Sequence, residues 1–215
     1  MIYEERKQLV IKVEDWYGLH KPYTIKLDPG CTCLVGPNGA GKTTLIHQLS
    51  DHFKKDPNVV VISHDNYHEG GSSHVSKLFW EHRFEEGAAA FGASEGQKIT
   101  LSFGDFASFI GSTIRSNRKK DCIFLILLDA IDSGLSIDNM EEIKSLFDLI
   151  CQDAGKLRTY IVYAANSYGM VEDAWCVDVQ TGKGRRFTSY KDYAAFILEY
   201  SKTHKPPTPP NKKRS

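Results

Sequence analysis

Residues 36–44 of this 215-residue chain read Gly36-Pro37-Asn38-Gly39-Ala40-Gly41-Lys42-Thr43-Thr44. They follow an apolar, strand-like run at 31–35 and precede residues 45–49, whose composition favours a helix. A strand, a glycine-rich loop and a helix in this order bring backbone N–H groups and a helix N-terminus to one point, which binds phosphate. The stretch therefore predicts a phosphate-binding loop.

Each residue type in this loop has an expected role. Glycine lets the backbone approach a phosphate closely and adopt angles that a Cβ atom hinders. Lys42 is expected to reach the β and γ phosphates of a nucleotide, and Thr43 to place its hydroxyl on Mg²⁺. The nucleotide-binding set predicted from the loop is Pro37, Asn38, Gly39, Ala40, Gly41, Lys42, Thr43 and Thr44.

Length, composition and the phosphate loop predict one nucleotide-binding domain at residues 1–203, followed by a proline-rich, basic tail at 204–215 that we expect to be disordered. The chain has no uninterrupted apolar stretch of about eighteen residues and no apolar centre of a signal peptide near Met1. We therefore expect a cytoplasmic protein with no membrane partner. The five cysteines lie mostly in apolar runs, so we expect reduced thiols in the core.

Apolar periodicity predicts an α/β fold with a mainly parallel central sheet flanked by helices. Continuous apolar runs at 59–62, 122–128 and 159–164 are typical of strands covered on both faces. Residues 9–27 alternate in polarity, which predicts an antiparallel portion at the N-terminus. The remaining predicted elements are helices at 104–117, 137–150 and 190–200, with Ser136 as the cap of the second, and a hairpin of strands 175–179 and 186–188.

Asp129 ends the apolar run at 122–128 and completes a Walker B strand. A carboxylate at the end of such a strand holds the water shell of Mg²⁺ beside the nucleotide phosphates. Asp129 is therefore predicted to act with Thr43 at the metal.

The segments around Asp129 resemble those of ABC-type ATPase heads, the group that includes transporter motor domains and the SMC and RecF DNA-maintenance proteins. Ser133-Gly134-Leu135-Ser136 is similar to the D-loop of that group. Ala93-Ser94-Glu95-Gly96-Gln97-Lys98 resembles its signature, leucine-serine-glycine-glycine-glutamine, with matches at Ser94, Gly96 and Gln97. The resemblance covers roughly residues 9–180 and implies an ABC-ATPase-like P-loop NTPase.

This resemblance implies that ATP and Mg²⁺ are the cofactors and that a second copy of the chain is the partner. In the family, each subunit binds ATP on its own loop, and a signature serine from the other subunit completes the site. Ser94 and the amide of Gly96 would then contact the γ phosphate of ATP held by Lys42 and Thr43 of the other copy. Only about fifty positions separate Lys42 from Ser94, so we expect a minimal head without a coiled coil.

Position 130 departs from the family pattern. The family has a glutamate there that polarises the attacking water, and this chain has Ala130. Because a positioned general base is worth about a hundred- to ten-thousand-fold in rate, we expect ATP binding with impaired hydrolysis. Such a residue belongs either to a naturally slow switch or to a chain whose glutamate was replaced, and Asp132 is a weaker candidate for the base.

Further positions are assigned from the same resemblance. Asn166 stands where the family usually has a histidine that touches the γ phosphate. No Q-loop glutamine is evident, and residues 64–67 are the nearest candidate, with Asp65 or Asn66 near the metal. Trp16 or Tyr17 would stack on adenine or pack at a strand end.

Some local features leave alternatives open. The histidines at 64, 68 and 74 suit either a metal site or a polar loop. Net charge is zero, so basic clusters at 115–120 and 183–186 are either solvated surface or local contacts to DNA.

The sequence therefore predicts an ATP-binding ABC-type ATPase that forms an ATP-sandwiched, head-to-tail homodimer. It would act as a nucleotide-driven switch in DNA maintenance, a mobile element or defence. The alternative is a catalytically slow, ATP-sensing module that regulates an effector protein. A small-molecule kinase is a third possibility, but it has no use for the segment at 94–97.

Overall fold

The computed structural model describes residues 8–14, 21–65, 81, 85–86, 88, 92, 95–117, 121–154 and 158–203. Its strands are β1 (Leu9–Val13), β2 (Tyr23–Leu27), β3 (Gly30–Val35), β4 (Val59–Asp65), β5 (Ile123–Asp129), β6 (Thr159–Ala164), β7 (Cys176–Asp178) and β8 (Gly184–Arg185). Its helices are α1 (Lys42–Phe53), α2 (Glu95–Asn117), α3 (Ile137–Ala154), α4 (Tyr168–Val171) and α5 (Tyr190–Thr203).

The central sheet has the strand order β4-β5-β6-β3-β7-β8, and β1 and β2 form a separate antiparallel pair. The first five strands in this order, β4, β5, β6, β3 and β7, are parallel to one another, and β8 pairs antiparallel with β7. The predicted α/β class, with its mainly parallel sheet and antiparallel N-terminal portion, is confirmed. Since β6 lies between β3 and β5, the phosphate-loop strand and the Walker B strand both end at the same edge without being neighbours.

Both faces of the sheet are covered, which explains why β5 is continuously apolar. Its residues alternate between two cores. Ile126 belongs to the core with α2 and α3, and Leu127 belongs to the core with α1, β1 and β2. Each core fixes one side of β5, and Asp129 stands at the end of this buried strand.

Two predicted boundaries are wrong. Helix α2 begins at Glu95 rather than near Gly104, because Gly104 lies in the helix interior and Phe103 packs in the same core as Phe106. Strand β8 lies at Gly184–Arg185 rather than 186–188. The turn before β8 is tighter than predicted, since the hydroxyl of Thr181 donates to the Asp178 carboxylate at 2.7 Å.

The other predicted elements agree with the structure. Helix α3 begins at Ile137, and the carbonyl of Ser136 accepts the first helical bond from the Met140 N–H, as expected of a cap residue. Among the helices that the structure describes, none is long and apolar enough to cross a membrane. Cys33, Cys122, Cys151 and Cys176 are buried, Cys31 is half-buried, and none of the five is in a disulfide bond.

We predict that the Leu127→Ala variant loses about 2–5 kcal/mol of unfolding free energy, because Leu127 is fully buried and its removal leaves a cavity in the core. Urea denaturation measures the loss. The matched control is Leu198→Ala, since Leu198 is 62% exposed on α5 and its truncation should have little effect. Equal losses in the two variants would contradict the assignment of β5 to the core.

Candidate nucleotide site

The phosphate loop at 36–41 is shaped by glycine at two positions. A Cβ atom at Gly36 would lie 2.9 Å from Cβ of Ala40 and 3.0 Å from Cγ2 of Val179, so no side chain fits there. Gly41 caps α1 with φ of 100°, a left-handed conformation that favours glycine. The first turn of α1 therefore begins directly after the loop, with its N–H groups facing the loop end.

Lys42 places a cation inside this loop. Its side chain is buried, and its Nζ donates hydrogen bonds to the carbonyls of Gly36 at 2.6 Å and Pro37 at 3.2 Å. Burial lowers the pKa of Lys42, and the negative charges of Asp132 and Asp129 act in the opposite direction. An ammonium group has three donors, and these two bonds leave one for a ligand oxygen.

Two carboxylates end neighbouring strands at the same edge of the sheet. Asp129 ends β5, and Asp65 ends β4 in direct register with it. Asp129 is buried, and its Oδ1 accepts a hydrogen bond from the Ala130 N–H at 2.9 Å. Thr43 lies on the exposed side of the first turn of α1. Carboxylate and hydroxyl oxygens are the ligand types that Mg²⁺ prefers, so the donor set fits this ion.

Ala130 has an unusual backbone. Its φ is 51°, which is uncommon for a residue with a Cβ atom and costs about 1–2 kcal/mol. The residue is buried, and the turn that follows it is closed by a bond from the Ser133 N–H to the Ala130 carbonyl at 3.0 Å. The chain therefore reverses sharply after Asp129.

A cavity of about 230 Å³ brings the predicted groups together. Its lining comes from the phosphate loop and α1, the end of β5 and the segment after β6, namely Asn38, Gly39, Gly41, Lys42, Thr43, Thr44, Asp129, Ala130, Ala164 and Asn166. Asn166 is exposed at this wall. Pro37, Ala40 and Asp65 belong to adjoining segments and are not part of the lining.

Some predicted site residues are outside the described part of the chain, and others lie in α2 or in the core. Trp16, Tyr17 and Ser94 lie outside the described residues, and so do His68 and His74. Gly96 and Gln97 lie in the first turn of α2. His64 is buried and stacks on Phe106 with ring centroids 4.6 Å apart, so it packs in the core. Within the part of the chain that the structure describes, no three His, Cys, Asp or Glu residues are grouped to hold a metal.

The second basic cluster has a structural arrangement. The Arg185 guanidinium lies 4.3 Å from the ring centroid of Phe187 and 4.5 Å from that of Phe196. Arg186 donates to the Asp173 carbonyl at 3.2 Å. Arg185 thus packs at this end of the domain, whereas Arg186 is exposed and bonds only to the backbone in the described contacts. In the first cluster, Arg115 is the last basic residue of α2 and is exposed.

Asp132, the weaker candidate for the base, does not line the cavity, and its contacts could not be predicted from spacing. It is 8% exposed, and its Oδ2 accepts hydrogen bonds from the Asn166 N–H at 2.6 Å and from the Ser167 N–H. Its Oδ1 is buried and has no hydrogen-bond partner among the described residues. An unsatisfied buried acceptor costs about 1–3 kcal/mol. The partners are more than thirty positions away along the chain, so only the folded structure identifies them.

A buried lysine in a glycine-rich loop after a parallel strand, a carboxylate at the end of a second strand, and an amide at the end of a third define a P-loop NTPase. The chain matches the model of the ATPase family associated with various cellular activities (AAA) over residues 32–180, and an AAA domain model over residues 11–50. The chain belongs to this family and is an ATP-binding P-loop NTPase.

Solved structures show more distant likenesses. The cbiO1 protein of Clostridium perfringens, part of the ABC transporter complex cbiONQ, is 14% identical with a TM-score of 0.45, covering 82% of this chain and 84% of that one. MJ1267, an ATP-binding cassette of an ABC transporter in its ADP conformation, is 10% identical with a TM-score of 0.42, covering 92% and 100%. C. elegans PCH-2 is 20% identical with a TM-score of 0.40, covering 69% and 34%. The chain thus spans about a third of the length of PCH-2, and no curated protein sequence matches it.

We predict that pH distinguishes Lys42 from an exposed lysine. Because its folded pKa lies below the ordinary value of 10.5, the unfolded chain binds more protons between the two values. The unfolding free energy of the wild type, relative to Lys42→Met, should therefore rise as pH increases toward 10.5 and stop rising above it. Chemical denaturation across this range measures the difference.

Lys54→Met is the control for the loss of a lysine, since Lys54 is exposed at the end of α1. A relative stability that falls with rising pH would show that the nearby carboxylates outweigh burial at Lys42.

Proposed function

We propose that the chain is a Mg²⁺-dependent ATPase whose ATP-bound form is a head-to-tail homodimer, and that it acts as a nucleotide-driven switch. The observation that carries this proposal is the cavity where Lys42, Thr43, Asp129, Ala130 and Asn166 meet. In it a cation, backbone N–H donors and hard oxygen ligands face one space, which is the donor set that a triphosphate with its metal requires.

Each residue has a proposed task. Lys42 neutralises charge on the β and γ phosphates, and the N–H groups of the loop and of the first turn of α1 hold the phosphate oxygens. Thr43 and Asp129 hold Mg²⁺, with Asp65 beside them, and the ion supplies charge neutralisation at the phosphates. The amide of Asn166 donates to the γ phosphate or positions water.

Slow hydrolysis follows from the composition of the cavity wall. Ala130 occupies the position next to Asp129, and a methyl group cannot accept a proton from water. Asp129 is the carboxylate among the described lining residues, and it is committed to the metal. The chain therefore retains binding and loses the group that would activate the nucleophile.

Dimerisation is proposed from helix α2. Gly96 lies in the first turn of this 23-residue helix, whose N-terminus carries partial positive charge. Ser94 precedes it in sequence. Together they would contact the γ phosphate bound to a second copy, so that ATP joins two chains and its hydrolysis releases them. DNA or an effector protein would respond to this change.

The alternative function is an ATP sensor that holds or releases an effector protein without rapid turnover. The specific observation that favours it is Ala130. The sensor and the ATPase proposals differ in the rate of phosphate release expected when a general base is placed at position 130.

We predict that Ala130→Glu raises the rate of phosphate release by about a hundred- to ten-thousand-fold, because it supplies the missing general base. Ala130→Gln is the matched control, since it has nearly the same size and meets the same backbone strain but cannot accept the proton. The double variant Lys42→Ala, Ala130→Glu should release no phosphate above background. An unchanged rate in Ala130→Glu would favour the sensor.

We predict that the molecular mass in solution doubles when ATP and Mg²⁺ are added to the wild type, as measured by light scattering. ADP should leave the chain monomeric, since it lacks the γ phosphate that a second copy would contact. Lys42→Ala should stay monomeric with either nucleotide. A wild type that remains monomeric at saturating ATP would remove the dimer from the proposal and leave a nucleotide-binding monomer.

A further inference from the structure

Asp132 and Tyr193 hold the segment at 165–167 from two sides. The Asp132 carboxylate accepts hydrogen bonds from the N–H groups of Asn166, at 2.6 Å, and Ser167. The Tyr193 hydroxyl, on helix α5, donates to the Asn166 carbonyl at 2.9 Å. The backbone N–H and carbonyl of Asn166 are thus both tied to buried side chains, while its own side chain is exposed at the cavity.

Asp132 acts from outside the cavity. It is buried, it does not line the cavity wall, and its Oδ2 faces two backbone donors of the segment after β6. Its place in the turn after Asp129 is fixed by bonds from the Ser133 N–H to the Ala130 carbonyl and from the Leu135 N–H to the Asp132 carbonyl. The carboxylate therefore links the Walker B turn to the Asn166 segment.

We propose that Asp132 is a positioning residue that holds the Asn166 amide where a γ phosphate would lie, and so sets the preference of the site for a triphosphate over a diphosphate. This inference rests on the proposed function, since it assigns the γ phosphate to the Asn166 side of the cavity. A carboxylate holding two successive N–H groups fixes both the position and the orientation of the peptide that carries Asn166.

The charge of Asp132 also acts on Lys42, another residue of the cavity lining. Its negative charge opposes the effect of burial on the pKa of Lys42, so it helps to keep that ammonium charged. Lys42 would contact the β phosphate of both ATP and ADP, whereas Asn166 would contact the γ phosphate, which only ATP has. The two effects therefore differ in their nucleotide dependence, and the ratio of the two affinities separates them.

The test is calorimetric titration of the full chain with ATP and with ADP, each with Mg²⁺. In Asp132→Ala the ATP affinity should fall about tenfold more than the ADP affinity, because Asn166 loses its fixed backbone. Asp132→Asn retains an amide oxygen that accepts both N–H groups, so the ratio of the two affinities should stay within about twofold of the wild type. Asp121→Ala, at the opposite end of β5, is the control and should match the wild type.

A double-mutant cycle with Asn166→Ala tests whether Asp132 acts through Asn166. In the Asn166→Ala background, Asp132→Ala should leave the ratio of ATP to ADP affinity unchanged. Additive effects in the cycle would overturn the proposal. Equal losses of ATP and ADP affinity in Asp132→Ala would also overturn it, since they would indicate a structural role or an effect through Lys42 alone.

Tyr193→Phe keeps the test decisive if Asp132→Ala does not fold. It removes the hydroxyl that donates to the Asn166 carbonyl, so it should lower the ratio of ATP to ADP affinity by a smaller factor than Asp132→Ala does. An unchanged ratio would contradict the proposal.

Failure of the proposed function would give a different result. A wild type that binds neither nucleotide, or a Lys42→Ala variant that binds ATP normally, would overturn both the function and this inference.

Discussion

A buried ammonium group at the start of α1 is the constraint on which the rest of the site depends. Lys42 is held in the phosphate loop by two loop carbonyls, and the charges of Asp129 and Asp132 offset the cost of burying it. The loop can wrap the lysine closely because Gly36 has no side chain, and any Cβ atom there would meet Ala40 and Val179. The phosphate site is thus built around a cation that the fold must stabilise.

The order of the strands brings the groups that stabilise this cation to one edge of the sheet. The parallel strands β3, β5 and β6 all end at one edge, so the loop, the Asp129 turn and the Asn166 segment converge although they are far apart in sequence. Two cores on opposite faces of the sheet hold these strand ends in place. The sharp reversal at Ala130 then turns the chain so that Asp132 meets the Asn166 segment. The packing of the two cores therefore positions the polar groups of the site at this edge of the sheet.

The sequence was sufficient for the parts of this arrangement that follow local rules. The phosphate loop follows a buried strand and Asp129 ends another, and the carboxyl ends of parallel strands meet, so their proximity follows from the pattern. Asn166 follows a third such strand, and its role was assigned from the family resemblance. The contacts of Asp132 and the stacking of His64 on Phe106 were not predictable, because they join residues that only tertiary packing brings together. The start of α2 was missed for a related reason, since packing around Phe103 outweighs the low helix propensity of Gly104.

The most direct test of the central claim is a crystal structure of the full chain with Mg²⁺ and a non-hydrolysable ATP analogue. We expect β and γ phosphates against Lys42 and the N–H groups of the loop, with the metal between Thr43 and Asp129 and the γ phosphate on the side of Asn166. A triphosphate bound away from Lys42, or a metal held by residues other than Thr43 and Asp129, would contradict it.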